Sequence, residues 1–236
     1  MWGYPEYVPI AKKKQDAEKV LAKLKKKNPN VNPVVIDGNK IAKTWWGAAW
    51  NKNLESYADY SNRIGRGRSY VKNGFVLDLQ IKPGLVTAVV SGSRRNPYKI
   101  EIKIEELSKA RWKKITELCG RKFSGMDELI NGKFPKELEE LFTQKGEGLF
   151  PSPKEIRFSC DCPDWAGMCK HVAAALYGIG ARLDDDPSLF FKLRNIEIDE
   201  IIKKSVDEKM SSMLKNSGKK TKRVIKDANI EELFGI

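Results

Sequence analysis

One stretch constrains this chain more than any other: Cys160-Asp161-Cys162-Pro163-Asp164-Trp165-Ala166-Gly167-Met168-Cys169-Lys170-His171. It holds three of the four cysteines and the only histidine, spaced as C-x-C, six residues, then C-x-H. Three thiolates and one imidazole complete a tetrahedral N/S set with no position left for a reactive water, the composition of a structural zinc site. Cys160 and Cys162 end the extended run Ile156–Ser159, where side chains two apart share a face. Pro163-Asp164 turns the chain and Gly167 frees it before the second pair. Cys169 and His171 do not converge from mid-helix, because i and i+2 point apart there. They converge if Cys169 still belongs to the loop and His171 opens the following helix. The alternatives are two disulfides, which would draw in Cys119, or buried thiols beside an ordinary core histidine.

Ser159-Cys160-Asp161-Cys162-Pro163-Asp164, followed by Cys169-Lys170-His171-Val172-Ala173-Ala174, closely resembles the SWIM-type zinc finger. That family's pattern is C-x-C, a variable gap, then C-x-H opening a helix. Its four ligand positions are filled here by Cys160, Cys162, Cys169 and His171. Thr44-Trp45-Trp46-Gly47, Arg66-Gly67-Arg68-Ser69-Tyr70 and Leu233-Phe234-Gly235-Ile236 are similar to segments of prokaryotic SWIM-finger proteins of uncharacterised role. The resemblance implies zinc as the cofactor, with nucleic-acid contacts or a protein partner such as a Swi/Snf-type ATPase or a recombination factor. It brings no catalytic residue.

Charge bears on the partner. The 236-residue chain has 44 Lys and Arg against 31 Asp and Glu, a net charge of +13. Such an excess favours a polyanion, most often nucleic acid, over a small-molecule substrate, although a generally solvated surface also accounts for it. Hydrophobic residues make up 41%, enough for a packed core. No apolar run approaches the ~18 residues of a membrane span, and Lys12-Lys13-Lys14 interrupts any signal-like start, so the expected location is cytoplasmic.

The expected fold class is α+β: an antiparallel β-meander with flanking helices, plus a small zinc-stabilised ββα-like finger followed by C-terminal helices. Residues 1–43 form a basic N-terminal extension, with a helix over 11–27 and a small hairpin over 34–42. An α+β domain spans 44–145. Thr44 is the N-cap of a helix to about Asp59, whose Trp46, Trp50, Leu54 and Tyr57 repeat at helical spacing and face a core. Strands are expected at 69–71, 75–81, 85–91 and 98–104, the first two joined by Asn73-Gly74 and the next pair by Pro83-Gly84. Phe75, Leu77, Leu79 and Ile81 should share one face. Helices resume near Glu105, with Cys119 in the core, Ser124 capping 125–130 and Pro135 opening a helix through Phe142. The Gly/Pro-rich segment 146–154 is a linker, the finger and following helices occupy 155–203, and 204–236 is a basic tail with a short apolar C-terminal motif.

Nucleic-acid contacts are expected at the arginine/glycine segment Arg63-Ile64-Gly65-Arg66-Gly67-Arg68, read as a loop, and at Arg94-Arg95. DNA is favoured over RNA. In a simple meander Arg63, Arg66 and Arg68 would sit at one end of the sheet and Arg94 and Arg95 at the other. The helix after His171 is apolar on most sides and should be buried. Asp184-Asp185-Asp186 suits capping better than cation binding. No nucleophile–base pair or phosphate loop is present, which argues against an enzyme such as a nuclease. The expected function is a zinc-binding, non-catalytic, nucleic-acid-associated protein. The alternative is an interaction adaptor that docks through the finger helix and the C-terminal tail.

Overall fold

The computed structural model describes residues 8–122, 139–144, 146–196, 210–211 and 213–215. Among the described residues the elements run in the order α1 (Ile10–Lys27), α2 (Trp45–Glu55), α3 (Ser61–Lys72), β1 (Val76–Lys82), β2 (Leu85–Val90), β3 (Tyr98–Ile104), α4 (Lys109–Lys122), α5 (Glu139–Thr143), β4 (Ile156–Cys160), α6 (Lys170–Asp185) and α7 (Leu189–Leu193). The four strands form one antiparallel sheet in sequential order. The class is α+β, as the alternating strands and amphipathic helices predict.

The sheet differs from the expected meander at both edges. Residues 69–71 are the last turn of α3, and Gly74, at φ +73°, carries the chain from that helix into β1. The fourth strand is β4, the run leading into Cys160, paired to β3 with Ile100 opposite Cys160. The segment 146–154 therefore lies within one compact unit, Met1–Glu197, and Leu149 and Phe150 in it are buried. The expected hairpin over 34–42 is absent. Residues 32–34 instead run beside β1, with Leu79 N donating to Asn32 O and Val34 N to Val76 O.

A β-bulge between Val76 and Asp78 explains the other departure. The register pairs Val76 with Val90 and Leu79 with Ala88, so Val76 and Leu79 share the inner face. Leu77 is left to pack with Ala17 and Phe75 beneath Val20, Leu21 and Leu24 of α1. The strict alternation expected for 75–81 thus breaks at one residue.

The inner face carries α6, in which eleven residues from His171 to Leu183 are buried. An apolar surface on every side requires cover on every side. The sheet covers one side, and α2 and α3 cover the others. Small residues permit the close crossings: a Cβ on Gly67 would lie 2.5 Å from Ala173 Cβ, and one on Gly180 would lie 2.3 Å from Asn51 Oδ1. The arginine/glycine segment is thus helical, and its Gly67 marks a helix crossing, not a loop. A helix so enclosed leaves only its two ends accessible among the described residues.

Thr44 caps α2, its Oγ1 accepting from Gly47 N at 3.2 Å. Asp184 accepts from Lys43 N, Thr44 N and Thr44 Oγ1, tying the end of α6 to the start of α2. Asp186 accepts from Ser188 N at 3.0 Å in the turn before α7, but the N-cap of α7 is Ser188 and has no side-chain cap bond, so the expected Asp186 cap is not formed. Trp50 and Leu54 are buried, and Trp50 meets Phe150 and Phe190 edge-on, so the aromatic stripe is core. Glu155 is the hub of the 146–155 segment, bonded by Arg111 Nη1 and Arg194 Nη2 at 2.7 Å each and by Ser152 N at 2.8 Å.

The side chain of Cys119, the cap at Ser124, the helix at 125–130, Pro135 and the C-terminal motif lie outside the described residues. The second compact unit, Ile198–Ile236, is described only where residues 210–211 and 213–215 are helical. Among the described residues no helix is long and apolar enough to cross a membrane.

Candidate metal centre

Two elements deliver the four donors. Cys160 is the last residue of β4, and its pairing with Ile100 puts it on the inner face. Asp161 prolongs the ladder, its amide donating to Lys99 O and its Oδ1 accepting from Lys99 N at 2.9 Å. Cys169 is the N-cap of α6, extended at φ −71° and ψ 167°, and its Sγ accepts from Val172 N at 3.5 Å. His171 lies in the first turn, the arrangement the C-x-H spacing requires.

The donor atoms of Cys160, Cys162, Cys169 and His171 all lie within 4.8 Å of one another. His171 Nδ1 is 3.9 Å from both Cys160 Sγ and Cys169 Sγ. Around a tetrahedral ion with Zn–S of about 2.3 Å and Zn–N of about 2.0 Å, donor separations are roughly 3.5–3.8 Å. The cluster reaches that polyhedron by contracting by up to about 1 Å, and its soft donors fit zinc.

The electrostatics call for a cation. The Cys169 thiol is pushed down to about 4, first by a hydrogen bond from Cys160 and then, against burial, by His171, Val172 N and Cys162. Cys160 is raised, chiefly because its proton bridges to Cys169 and secondarily by burial. Burial raises Cys162. Left to themselves the thiols keep one negative charge at the helix N-terminus and hold the other protons; three thiolates together need a metal.

The loop between the ligands is pinned from outside. Asp59 accepts from Gly167 N at 2.8 Å and Met168 N at 3.4 Å. Asp164 accepts from Ala166 N at 3.3 Å and forms a two-point pair with Arg63, at 2.9 and 3.1 Å. Arg94 pairs with Asp161 at 2.5 Å. These bonds hold both aspartates below the usual carboxylate range despite partial burial. Trp165, 79% exposed, meets Tyr60 edge-on at 5.3 Å.

His171 is held by rings. Tyr98 stacks on it at 4.0 Å and 25°, and Tyr70 meets it edge-on at 5.5 Å. The Arg94 guanidinium lies 4.1 Å over the Tyr98 ring, so guanidinium, phenol and imidazole form one stack. Nε2 of His171 is buried without a hydrogen-bond partner among the described residues. A metal-ligating histidine ordinarily donates that N–H to a second-shell acceptor; here stacking takes over the orienting role.

The arginines expected to meet nucleic acid are mostly occupied. Arg63 and Arg94 both brace the metal loop, so the expectation that they sit at opposite ends of the sheet is overturned: α3 delivers Arg63 to the end where the β2–β3 loop carries Arg94. Arg68 bonds Glu55 at 2.5 Å and Tyr177 Oη at 2.8 Å. Arg66 and Arg95 are exposed and lack an ion-pair partner among the described residues. Asp59, Tyr60 and Tyr98 were missed from sequence. Only Tyr98 left a signal, through its parity with Ile100 on the inner face of a strand.

No protein-family model matches the chain, and no solved structure does. The chain is 37% identical over 163 residues to the uncharacterised protein Rv2102 of Mycobacterium tuberculosis, a match covering 69% of this chain and 58% of that relative. The chain thus spans less than two thirds of the length of the relative it matches.

Proposed function

We propose that Cys160, Cys162, Cys169 and His171 hold zinc as a structural clamp, in a non-catalytic protein that associates with nucleic acid. The convergence of four soft donors within 4.8 Å carries the zinc reading. Their order, and a helix opening at the C-x-H pair, match the SWIM-type finger pattern. A closed tetrahedral set supplies fold, not a reactive water. The nucleic-acid reading draws on the net charge of +13. Three thiolates and Zn²⁺ sum to about −1, and Asp161 and Asp164 are balanced by Arg94 and Arg63. The metal centre therefore offers a phosphate no net attraction, and that role falls to basic surface elsewhere. Service as an accessory factor to a Swi/Snf-type ATPase or to recombination machinery, with DNA as the nucleic acid, follows from the resemblance.

Metal analysis of the full chain should find one zinc, lost in Cys169→Ala and His171→Ala; a folded, zinc-free wild type refutes the clamp. Titration with labelled DNA and RNA should show affinity falling steeply with salt. Absence of binding at low salt refutes the nucleic-acid reading.

One observation favours the adaptor reading. Trp165 lies in a loop held on either side by the Arg63 and Asp59 contacts yet is 79% exposed, the profile of an interface anchor. If the wild type binds no nucleic acid at low salt and Trp165→Ser abolishes recovery of a defined partner, the adaptor reading stands alone.

A further inference from the structure

We infer that the outer face of the sheet, flanked by α1, is the surface that takes the phosphate backbone of a nucleic acid; this deepens the nucleic-acid reading above and rests on it. The face opposite α6 is organised by the register. Lys82 pairs with Leu85, Leu85 with Lys103, and Lys103 with Arg157. Three cations therefore stand in a single row across all four strands, about 14 Å long at about 4.8 Å per strand. Lys82, Lys103 and Arg157 are exposed.

Lys103 and Arg157 are directly opposite on neighbouring strands, where like charges are destabilising. Glu101 pairs with Lys103 at 3.0 Å, but Lys82 and Arg157 have no carboxylate partner among the described residues. The next row presents Thr87 and Ser159, small hydroxyl side chains on either side of Glu101, so the floor is low enough for a strand to lie on. Lys99 follows one row further and is exposed.

α1 packs on the same outer side through Leu77 and Val89, leaving β3 and β4 open beside it. It exposes Lys12-Lys13-Lys14 at one end and Lys25-Lys26-Lys27 at the other, against Asp16 and Glu18. The arginines around the metal loop and α3 are largely neutralised, whereas Lys82 and Arg157 on this face have no carboxylate partner among the described residues. Positive charge gathered on one face in excess of its carboxylates, Asp78 and Glu101, complements a phosphate backbone. The row lacks exposed large apolar side chains of the kind a membrane surface would take up.

The test is fluorescence anisotropy of the zinc-loaded full chain with labelled single- and double-stranded DNA and RNA, across about 50–200 mM salt. Lys103→Gln/Arg157→Gln should weaken duplex binding about tenfold or more and reduce the log–log salt slope by about 1.8, two phosphate contacts' worth. Lys103→Glu/Arg157→Glu should weaken it further. Both should keep wild-type zinc content, because the side chains are exposed, and the Gln pair should melt no lower than wild type, because it relieves the like-charge contact. Arg66→Ala/Arg95→Ala should leave the slope unchanged. Wild-type slope in the Gln pair, or a slope that follows Arg66 and Arg95 instead, overturns this surface while leaving nucleic-acid association standing. Failure of the wild type to bind any nucleic acid, with or without capture by phosphatidylserine vesicles, overturns both.

Discussion

Tyr98 lies flat on His171, ring centroids 4.0 Å apart, while the buried Nε2 of that imidazole meets no hydrogen-bond acceptor among the described residues. Ring orientation at the metal centre thus depends on stacking. Tyr98→Leu should weaken zinc about 10- to 100-fold, the usual effect of losing a second-shell support. Tyr98→Phe should stay within a few-fold of wild type, since the stack does not need the hydroxyl. Competition with a chromophoric chelator measures both. Equal affinity in Tyr98→Leu and wild type would show that the backbone alone positions His171.

Two glycines of α3 should respond in opposite directions to the same change. Nothing lies within 4 Å of a Cβ placed on Gly65, so Gly65→Ala should stabilise by up to about 1 kcal/mol through helix propensity. A Cβ on Gly67 would come within 2.5 Å of Ala173 Cβ and 3.1 Å of the Ala173 carbonyl carbon, so Gly67→Ala should destabilise by about 1–3 kcal/mol through overpacking. Urea unfolding of the two variants decides it. A stabilised Gly67→Ala would contradict the α3–α6 crossing.

The same pair shows where sequence reasoning reaches its limit. Arg63-Ile64-Gly65-Arg66-Gly67-Arg68 looks like a loop because glycine and unspaced cations weaken a helix locally. The compensation is the close approach of Ala173, over a hundred residues away in the chain. The metal ligands were legible because all four fall within twelve consecutive residues and their chemistry is complete in itself. The burial of α6 was legible because its apolar residues leave it no solvent side. Asp59, which caps Gly167 from 108 residues away, had no local signature. The bulge that turns Leu77 outward also left no mark, since Val76, Leu77 and Leu79 are all apolar and fit either face.

Glu155 should make stability depend on acid pH. Burial opposes its ionisation, but hydrogen bonds from Arg194 and Ser152 outweigh that and hold the carboxyl at about 2, against 4.5 for the free group. A lowered pKa contributes stability that is fully present above about pH 4.5 and lost as pH falls toward 2. Arg194 is 1% exposed, so removing its countercharge leaves a buried cation unpaired, at a cost of about 3 kcal/mol. Glu155→Gln should therefore fall below wild type by about that amount at pH 7. The gap should close between pH 4.5 and 2, because protonated wild type then resembles the variant. Denaturant unfolding of both proteins at matched zinc occupancy, from pH 7 down to the pH at which the metal leaves, tests the start of that narrowing. A gap that does not narrow in acid would assign the loss to packing instead of charge.

Zinc removal should unfold more than the finger. The ligands join β4, the edge strand of the sheet, to α6, the helix at the centre of the unit Met1–Glu197. Zinc binding in structural sites is worth about 10 kcal/mol or more, comparable to the total stability of about 5–15 kcal/mol of a domain. Without the ion, Cys160 and Cys162 take back protons inside a cluster that keeps one thiolate on Cys169. The ends of β4 and α6 then lose their link, and α2 and α3, which pack on α6, lose their support with it. Chelation should thus collapse hydrogen-exchange protection in α2, α3, α6 and the sheet together, in one transition that zinc reverses. Protection retained in β1–β3 and α2 after complete metal loss would mean that the clamp serves only the Cys160–His171 loop, and that the inner face of the sheet holds α6 without it.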